Sequence, residues 1–321
     1  MSGLRPNLFL VGAMKSGTSY LSGLLGAHPA VFMCSPKEPC YFVDPDVLRR
    51  VWPVAWAQGH WRTPERYLGL FAAARAAAVI GEASTVYSQL PLFAHVPERI
   101  LAFNPAARFI YIMRDPVERT VSHYWHRVRW WGEHRSLMSA VAADARYTDV
   151  SHYALQLRAY LDLAGRERVH TLTFEALLAD PVGQLLRVYE WLGVDPSFRP
   201  PTLGVPDNVL PEVIEQVRGF GLLDRLRRTA LYYRIWPWLP RWVPRLGSQL
   251  AARPVRPGDV DTGEVAEFLR PLQQRQTEEL ARLLGRSFPE WRTLYAQPRE
   301  QPAPTRRLAL GLDLDRSGSD I

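Results

Sequence analysis

The sequence predicts an α/β fold in which helices cover both faces of a central, mainly parallel sheet of five strands. Five apolar, β-favouring runs bounded by turn residues carry this prediction, at 7–12, 31–33, 79–81, 109–113 and 169–174. Helical patterns lie between most of these runs, and such alternation is typical of a parallel sheet. A hydrophobic content of 47% over 321 residues is enough for a substantial core and excludes wholesale disorder.

Between these runs, helical periodicity together with start and stop signals predicts the helices. The expected ranges are 19–27, 64–74, 97–103, 116–131, 153–164 and 182–193. The last of these follows Asp180 and Pro181 and ends at Gly193, which are residues typical of a helix start and a helix end. A final helix over 260–284 carries leucines at helical spacing, namely Leu269, Leu272, Leu280 and Leu283.

Composition divides the chain into a body and two less regular parts. We expect one domain over residues 1–296, with a proline- and tryptophan-rich elaboration at 200–251 and a disordered tail at 297–321. Within the elaboration, the segment 229–246 interleaves three tryptophans with arginines and prolines. Three interpretations stay open for this segment: a lid or acceptor-binding flap, peripheral contact with a membrane, and packing against the sheet.

The charge balance favours anionic ligands. A formal net charge of +7 and a pI near 9.6 suit nucleic acid, lipid head groups or a phosphorylated cofactor, and charge alone does not choose among them. Of the 39 basic residues, only Lys15 and Lys37 are lysines. Their placement in one N-terminal segment indicates a site that needs compact ammonium groups rather than planar guanidinium groups.

The cysteine content and the hydropathy pattern give an expected location. Cys34 and Cys40 are too few for a disulfide framework, which indicates a reducing compartment. No apolar run reaches the roughly 20 residues needed to span a bilayer, and the apolar stretch 8–14 is followed by Lys15 without a cleavage-like site. We therefore expect a cytoplasmic protein.

The first candidate site follows the first predicted strand. The chain runs through residues 13–19 into a helix, so that backbone N–H groups and a helix N-terminus converge on one point, an arrangement that binds phosphate. Gly12 and Gly17 would allow close approach of the backbone. Thr18 and Ser19 would offer hydroxyl groups, and Lys15 would supply a mobile charge. Because Lys15 precedes Gly17, the loop is not a Walker A motif, which disfavours a nucleoside triphosphate site.

The second candidate site follows the fourth predicted strand. Asp115 is predicted to cap a helix whose first residue is Pro116, with Glu118 completing a capping-box-like start. Ser122 lies two helical turns beyond Asp115, about 10 Å along the same face, within reach of an anion held by Arg114. Open α/β sheets bind ligands at the carboxyl ends of their strands, so Arg114 and Ser122 are expected to form a second phosphate clamp.

Taken together, these motifs resemble those of sulfotransferases that use 3′-phosphoadenosine 5′-phosphosulfate (PAPS). The resemblance is carried by GAMKSGTS at 12–19, HP at 28–29, KEPCYF at 37–42 and RDPVERTVSHY at 114–124, with further matches at 172–181, 191–194 and 283–291. It is closest to the branch that includes heparan sulfate sulfotransferases and many bacterial relatives. It covers most of the chain except roughly 200–251 and the tail, and it implies a P-loop-like, three-layer α/β/α fold.

The resemblance implies transfer of a sulfuryl group from PAPS to a hydroxyl or amine of an acceptor, with no metal required. By analogy, the loop around Lys15 would hold the 5′-phosphosulfate, and Arg114 with Ser122 would hold the 3′-phosphate. The implied donor-binding residues are Gly12, Lys15, Ser16, Gly17, Thr18, Ser19, Arg114, Ser122 and Arg253, and the implied catalytic residues are Lys15, Lys37 and Glu38.

Two positions in the resemblance leave alternatives open. Glu38 matches the family's acidic general base, and Glu82, which follows another strand, is a rival for that role. Where relatives carry a lysine directly after this second glutamate, the chain has Ala83, and Lys37 is a candidate to replace that lysine. Near 253–258, where several relatives have a lysine-containing phosphate loop, the chain offers Arg253 instead.

Two other classes of function stay open. In a nucleotide-dependent kinase, Asp115 would be a magnesium ligand. A non-catalytic nucleotide or polyanion binder would use the loop at 13–19 for binding and would catalyse no reaction. Dispersed basic residues disfavour nucleic acid as a partner. His123, His126 and His134 lie among aromatic residues and are interpreted as pocket or core residues rather than metal ligands. The expected partner is a saccharide, a glycolipid or a small natural product that accepts the sulfuryl group.

Overall fold

The computed structural model describes residues 4–74, 77–205, 210–217 and 252–296. Its central sheet contains β1 Leu8–Gly12, β2 Val31–Met33, β3 Val79–Ala83, β4 Arg108–Met113 and β5 Val169–Thr173. The strand order is β2-β3-β1-β4-β5, and every neighbouring pair is parallel. The predicted fold class is therefore confirmed, and each predicted strand is found within a few residues of its expected ends.

Helices connect the strands and cover both faces of the sheet. They are α1 Thr18–Gly26, α2 Pro45–Val51, α3 Pro53–Gln58, α4 Pro64–Gly69, α5 Val96–Phe103, α6 Pro116–Trp131, α7 Leu137–Ala143, α8 Arg146–Asp149, α9 Tyr153–Ala164, α10 Phe174–Ala179, α11 Pro181–Leu192, α12 Gly263–Leu284 and α13 Arg292–Tyr295. A separate antiparallel pair joins β6 Ile214–Val217 to β7 Ala252–Val255.

The core lies on both sides of the sheet because alternate residues of each strand point to opposite faces. On one face, Phe9 of β1 and Phe109 of β4 pack with residues of α5, α6, α9 and α12. On the other face, Leu10 and Ile110 pack with residues of α1, α10 and α11. Strands buried on both faces read as continuous apolar runs, which is why the sequence displays them so clearly.

Two helices differ from their predicted bounds by three residues or more, and the others by at most one. α4 ends at Gly69 rather than at residue 74, because the chain continues in tighter turns in which Leu70 N–H donates to the Tyr67 carbonyl at 3.1 Å and Phe71 N–H to the Leu68 carbonyl at 3.0 Å. The last long helix begins at Gly263 rather than at residue 260, since the preceding residues form a short 3₁₀ turn.

At the start of α6, the predicted cap is confirmed and the predicted capping box is not. Asp115 caps the helix as predicted, its carboxylate accepting N–H groups of Val117 at 3.0 Å and Glu118 at 3.3 Å. The prediction that Glu118 completes a capping box is wrong. The Glu118 carboxylate instead accepts from Arg114 at 2.8 Å, and the Asp115 N–H donates to the Glu175 carboxylate at 2.8 Å.

The carboxyl ends of the five parallel strands meet at one edge of the sheet. The loop at 13–17 follows β1, Ser84 follows β3, Arg114 follows β4 and Phe174 follows β5. The fold therefore gathers the predicted site residues of distant segments at the edge where such sheets bind ligands.

Several predictions concern segments outside the described residues. The segment 229–246, most of the 200–251 elaboration and the tail at 297–321 belong to these segments. Among the residues that the structure describes, no helix is both long enough and apolar enough to cross a bilayer. Cys34 and Cys40 are both free and buried.

Candidate active site

One cavity of about 1530 Å³ opens at the carboxyl edge of the sheet. Its wall contains Lys15, Lys37, Glu38, Arg114 and Ser122. The ammonium group predicted for one phosphate and the guanidinium group predicted for the other thus face a single connected space. Pockets for one drug-sized ligand measure roughly 300–1,000 Å³, so this cavity has room for two molecules at once.

The loop after β1 owes its shape to two glycines, for different reasons. Gly17 has a φ of 87°, which only glycine adopts without strain, and a Cβ there would also collide with the ring of Phe174. A Cβ at Gly12 would collide with Ser88 Oγ and Tyr111, and Gly12 does not line the cavity. Gly12 is therefore required by packing beneath the loop and not, as predicted, by approach of a ligand. Ser16 is likewise fully buried and does not line the cavity.

Lys15 projects into a strongly cationic part of the cavity. No carboxylate among the described residues pairs with it. Burial lowers the pKa of Lys15, and the charges of Arg114, Arg129, Arg119 and Lys37 lower it further. Like charges that repel each other at a buried site are relieved by a bound anion.

Lys37 joins the loop after β2 to the start of α1. Its Nζ donates to Ser19 Oγ at 3.0 Å and lies 3.4 Å from Thr18 Oγ1, and both of these residues line the cavity. The structure thus brings together the two lysines and the two hydroxyl groups that the sequence predicted for an anion site. Ala83, where relatives carry a lysine, is buried, and its carbonyl accepts the Glu38 N–H at 3.0 Å.

Arg114 and Ser122 line the same cavity from β4 and α6. The Arg114 guanidinium lies over the ring of Phe174, 5.3 Å from its centroid, and pairs with Glu118 at 2.8 Å. Its Nε is buried and has no hydrogen-bond partner among the described residues. Ser122 lies one helical turn beyond Glu118. Since a buried donor without a partner is costly, Arg114 is suited to receive an acceptor atom of a ligand.

Of the two candidate bases, Glu38 is the one that lines the cavity. Its carboxylate accepts the Thr85 N–H at 3.0 and 2.9 Å and the Thr85 hydroxyl at 2.9 Å, which fixes its orientation. Burial raises the pKa of Glu38, while the Lys37 charge and the hydrogen bonds from Thr85 oppose this effect. A partly buried, oriented carboxylate with raised basicity is what a general base requires.

Glu82, the rival base, is fully buried beneath the cavity and does not line it. It accepts the hydroxyl groups of Tyr67 at 2.7 Å, Tyr87 at 3.1 Å and Ser84 at 3.1 Å. Tyr87 in turn accepts the Tyr41 N–H at 3.1 Å, so this polar cluster anchors the segment that carries Glu38. Burial raises the pKa of Glu82 to about 7. Glu82 is therefore placed to hold the surrounding segments together and not to contact a ligand in the cavity.

Asp115 is not available as a metal ligand. It is only 1% exposed, one carboxylate oxygen caps α6, and the other accepts the Leu294 N–H at 2.9 Å. The kinase hypothesis thereby loses the residue on which it depended.

The three histidines occupy different surroundings. His126 lines the cavity, and burial, followed by the Lys15 charge, lowers its pKa to about 4. His123 also lines the cavity but is buried, with its ring 4.7 Å from that of Tyr147, and His134 is exposed. Across the described ranges, no three histidine, cysteine or acidic side chains cluster in a way that could hold a metal ion.

Arg253 does not reach the cavity. Its guanidinium donates to Gln216 Oε1 at 2.7 and 3.1 Å within the β6–β7 pair. The chain returns to the cavity a few residues later, through Pro257 and Gly258. Sequence reasoning also missed other lining residues, among them Arg50, Trp52, Gln89, Phe174 and Thr293. The sequence signal that could have placed Phe174 at the cavity is its position directly after β5.

Comparison with known proteins gives the family. A family model described as the sulfotransferase family matches residues 6–199. The chain is 31% identical over 131 residues to the membrane-associated sulfotransferase kil1 of Dictyostelium discoideum, covering 41% of the chain and 25% of that protein. It is 24% identical over 207 residues to human heparan sulfate glucosamine 3-O-sulfotransferase 5, covering 60% of the chain and 55% of that enzyme.

A solved structure extends the likeness to almost the whole described chain. The crystal structure of a sulfotransferase from Alicyclobacillus acidocaldarius superposes with a TM-score of 0.66 at 25% identity, covering 90% of this chain and 99% of that one. The match of the family model spans more than half of the sequence. The chain therefore belongs to the sulfotransferase family.

Proposed function

We propose that this protein transfers a sulfuryl group from PAPS to a hydroxyl or amine group of an acceptor, with Glu38 as the general base. The observation that carries the proposal is the single cavity in which Lys15, Glu38 and Arg114 meet. A donor with two separated anionic groups would engage both cationic walls, and an acceptor would occupy the remaining space beside Glu38.

The residues present fit this donor. The lysines, the hydroxyl groups of Thr18 and Ser19 and the loop backbone suit one anionic group. Arg114, with its partnerless Nε, and Ser122 suit the other. The neighbouring arginine and lysine side chains that lower the pKa of Lys15 also favour a bound anion beside it. PAPS, when bound, supplies an activated sulfuryl group on a phosphate leaving group.

The chain's own residues then divide the work. Lys15 and Lys37 compensate the negative charge that develops on the leaving phosphate oxygen, a form of electrostatic catalysis that needs no proton transfer. Glu38, held by Thr85, accepts the proton of the attacking hydroxyl or amine on its carboxylate. Glu82 keeps the Glu38 segment in place through Tyr87 and Tyr41.

The acceptor is proposed to be a saccharide, a glycolipid or a small natural product. The chain spans a quarter of kil1 and about half of the human enzyme, so their acceptors do not transfer to this protein. A cytoplasmic location, expected from the two free cysteines, also stays a prediction.

The test is incubation of the protein and radiolabelled PAPS with saccharide, glycolipid, phenolic and peptide acceptors, followed by mass spectrometry of the products. We expect a product heavier by one sulfuryl group, formed equally well in EDTA. Phosphorylated product with ATP would favour the kinase. Tight binding of adenosine 3′,5′-bisphosphate without any product, and unchanged by Glu38→Gln, would favour the non-catalytic binder.

A further inference from the structure

Five tryptophans lie at the cavity or beside it, in a group that we call the tryptophan rim: Trp52, Trp56, Trp61, Trp130 and Trp131. The first three are partly buried and pack against the core, whereas Trp130 and Trp131 are exposed. The rings of Trp52 and Trp131 lie 6.3 Å apart, and those of Trp56 and Trp61 lie 5.6 Å apart and are stacked. α3 connects the two pairs, since the Trp56 N–H donates to the Trp52 carbonyl at 3.1 Å. Trp130, at the end of α6, is 64% exposed.

Arginines cover the faces of these rings. The guanidinium of Arg49 lies 5.2 Å from the ring centroid of Trp56, Arg62 lies 5.5 Å from Trp56 and 5.7 Å from Trp61, and Arg129 lies 4.7 Å from Trp130. None of these three forms an ion pair with a carboxylate in the described ranges. Their charges are therefore available to an anionic partner.

The rim extends beyond the cavity. Trp52, Trp130 and Trp131 line the cavity, whereas Trp56 and Trp61 lie outside it. The exposed apolar part of the rim consists of Val54, Trp130 and Trp131, and the three arginines are exposed as well. A partner that contacts the whole rim therefore has to reach past the cavity over the surface of the protein.

We propose that the tryptophan rim docks on an anionic phospholipid surface. Indole rings favour the boundary between head groups and acyl chains, where their apolar bodies and N–H groups are both accommodated. The unpaired guanidinium groups would bind lipid phosphates, which gives the complementary charge. The two short helices α2 and α3 would lie along the surface, as interfacial segments do.

Docking of the rim would place the cavity mouth against the head groups. A lipid-borne hydroxyl could then enter toward Glu38 without leaving the bilayer. This consequence depends on the proposed sulfuryl transfer, whereas lipid binding itself does not.

The experiment is co-sedimentation of the full chain with vesicles, in the absence of donor and acceptor. Vesicles of phosphatidylcholine mixed with phosphatidylglycerol are compared with vesicles of phosphatidylcholine alone, at low and high salt. We expect binding to the mixed vesicles that weakens at high salt. Arg49→Gln and Arg62→Gln should each weaken binding about fivefold. Phe268→Ala, which removes an exposed aromatic ring on α12, serves as the matched control and should bind as the wild type does.

Quenching of tryptophan fluorescence by brominated phospholipid gives a second measurement, in which Trp130→Ala should lose part of the quenching. Retained thermal stabilisation by adenosine 3′,5′-bisphosphate shows that each variant is folded. Absence of wild-type binding to both kinds of vesicle would overturn the proposal. Equal binding by the arginine variants and the wild type would also overturn it, as would specific binding of a soluble acidic saccharide in place of the vesicles.

Discussion

The two ends of the cavity are built in different ways. The proposed donor end, formed by residues 13–19, Lys37, Arg114 and Ser122, uses backbone and side chains that follow the ends of parallel strands. The tryptophan rim uses side chains of residues 52–61, in and around α3, and of the end of α6, which are far apart in the sequence. Phosphate recognition at strand ends requires particular residues at fixed spacing in the sequence, whereas a group of tryptophan rings requires no such spacing. The donor end can therefore be read from motifs, and the rim only from the structure.

The largest effect on turnover is expected at Glu38, between the two ends. Glu38→Gln keeps the shape and an oxygen for Thr85 but removes the base, so kcat should fall about 10²- to 10⁴-fold. The affinity for adenosine 3′,5′-bisphosphate, measured by calorimetry, should stay as in the wild type. Glu264→Gln, at an exposed glutamate of the first turn of α12, is the control. Undiminished turnover in Glu38→Gln would move the base elsewhere.

Lys15→Ala comes next and tests the donor end directly. Loss of one preorganised charge at the reacting group should lower kcat about 10²- to 10³-fold in a steady-state assay. Lys15→Arg should not restore the rate, because a planar guanidinium does not replace a compact ammonium group in this loop. Full activity of Lys15→Arg would show that any positive charge suffices.

Arg114→Ala is expected to act on binding rather than on the chemical step. Hydrogen bonds to charged groups contribute about 1.5–3 kcal/mol, so the affinity for adenosine 3′,5′-bisphosphate should fall about 10- to 100-fold. Adenosine 5′-monophosphate, measured in the same calorimeter, should lose little affinity. Equal losses for both nucleotides would mean that Arg114 binds another part of the ligand.

Lys37→Ala should have a smaller effect. Lys37 contacts the loop hydroxyls, and its removal should raise the KM for PAPS about tenfold while the remaining lysine preserves part of the rate. Initial rates over a range of donor concentrations measure this. Wild-type turnover and KM would show that Lys37 does not replace the lysine that relatives have at position 83.

Glu82→Gln should change turnover least and change pH dependence most visibly. Burial raises the pKa of Glu82 from 4.5 to about 7, so the folded state retains a proton that the unfolded chain releases between these values. Stability should therefore fall by up to about 3 kcal/mol as the pH rises through this window, and level off above it. Urea unfolding at a series of pH values should show a flatter profile for Glu82→Gln. If the free energy of unfolding changes with pH equally in both proteins, the proton retained on folding is bound by a group other than Glu82.

The strands, and the meeting of the predicted site residues at one edge of the sheet, could be predicted from the sequence because both depend on local pattern. Buried strands are continuous apolar runs, and the loop at 13–19 and the Asp115 cap are short motifs with one structural solution. Two of the errors arose where a partner from a distant segment intervened: Glu175 accepts the Asp115 N–H, and Gln216 accepts from Arg253. The Glu118 carboxylate instead pairs with Arg114, its neighbour one helical turn away.

The choice between the two glutamates also needed tertiary information. The sequence predicted that Glu82 follows a strand, but β3 extends to Ala83 and Glu82 lies within it, whereas Glu38 follows β2. Nothing in their neighbouring residues tells which carboxylate faces the cavity. Tyr67 and Tyr87 enclose Glu82, and they come from different segments of the chain. Burial of this kind is a property of the assembled fold.

The most direct test of the central claim is calorimetry with adenosine 3′,5′-bisphosphate and adenosine 5′-monophosphate on the wild type, Lys15→Ala and Arg114→Ala. If Lys15 and Arg114 hold two anionic groups of one small molecule, the bisphosphate should bind the wild type at least tenfold more tightly than the monophosphate, with one molecule per chain. Arg114→Ala should abolish that difference, and Lys15→Ala should weaken both ligands. Equal affinity of the two nucleotides for the wild type would contradict the claim.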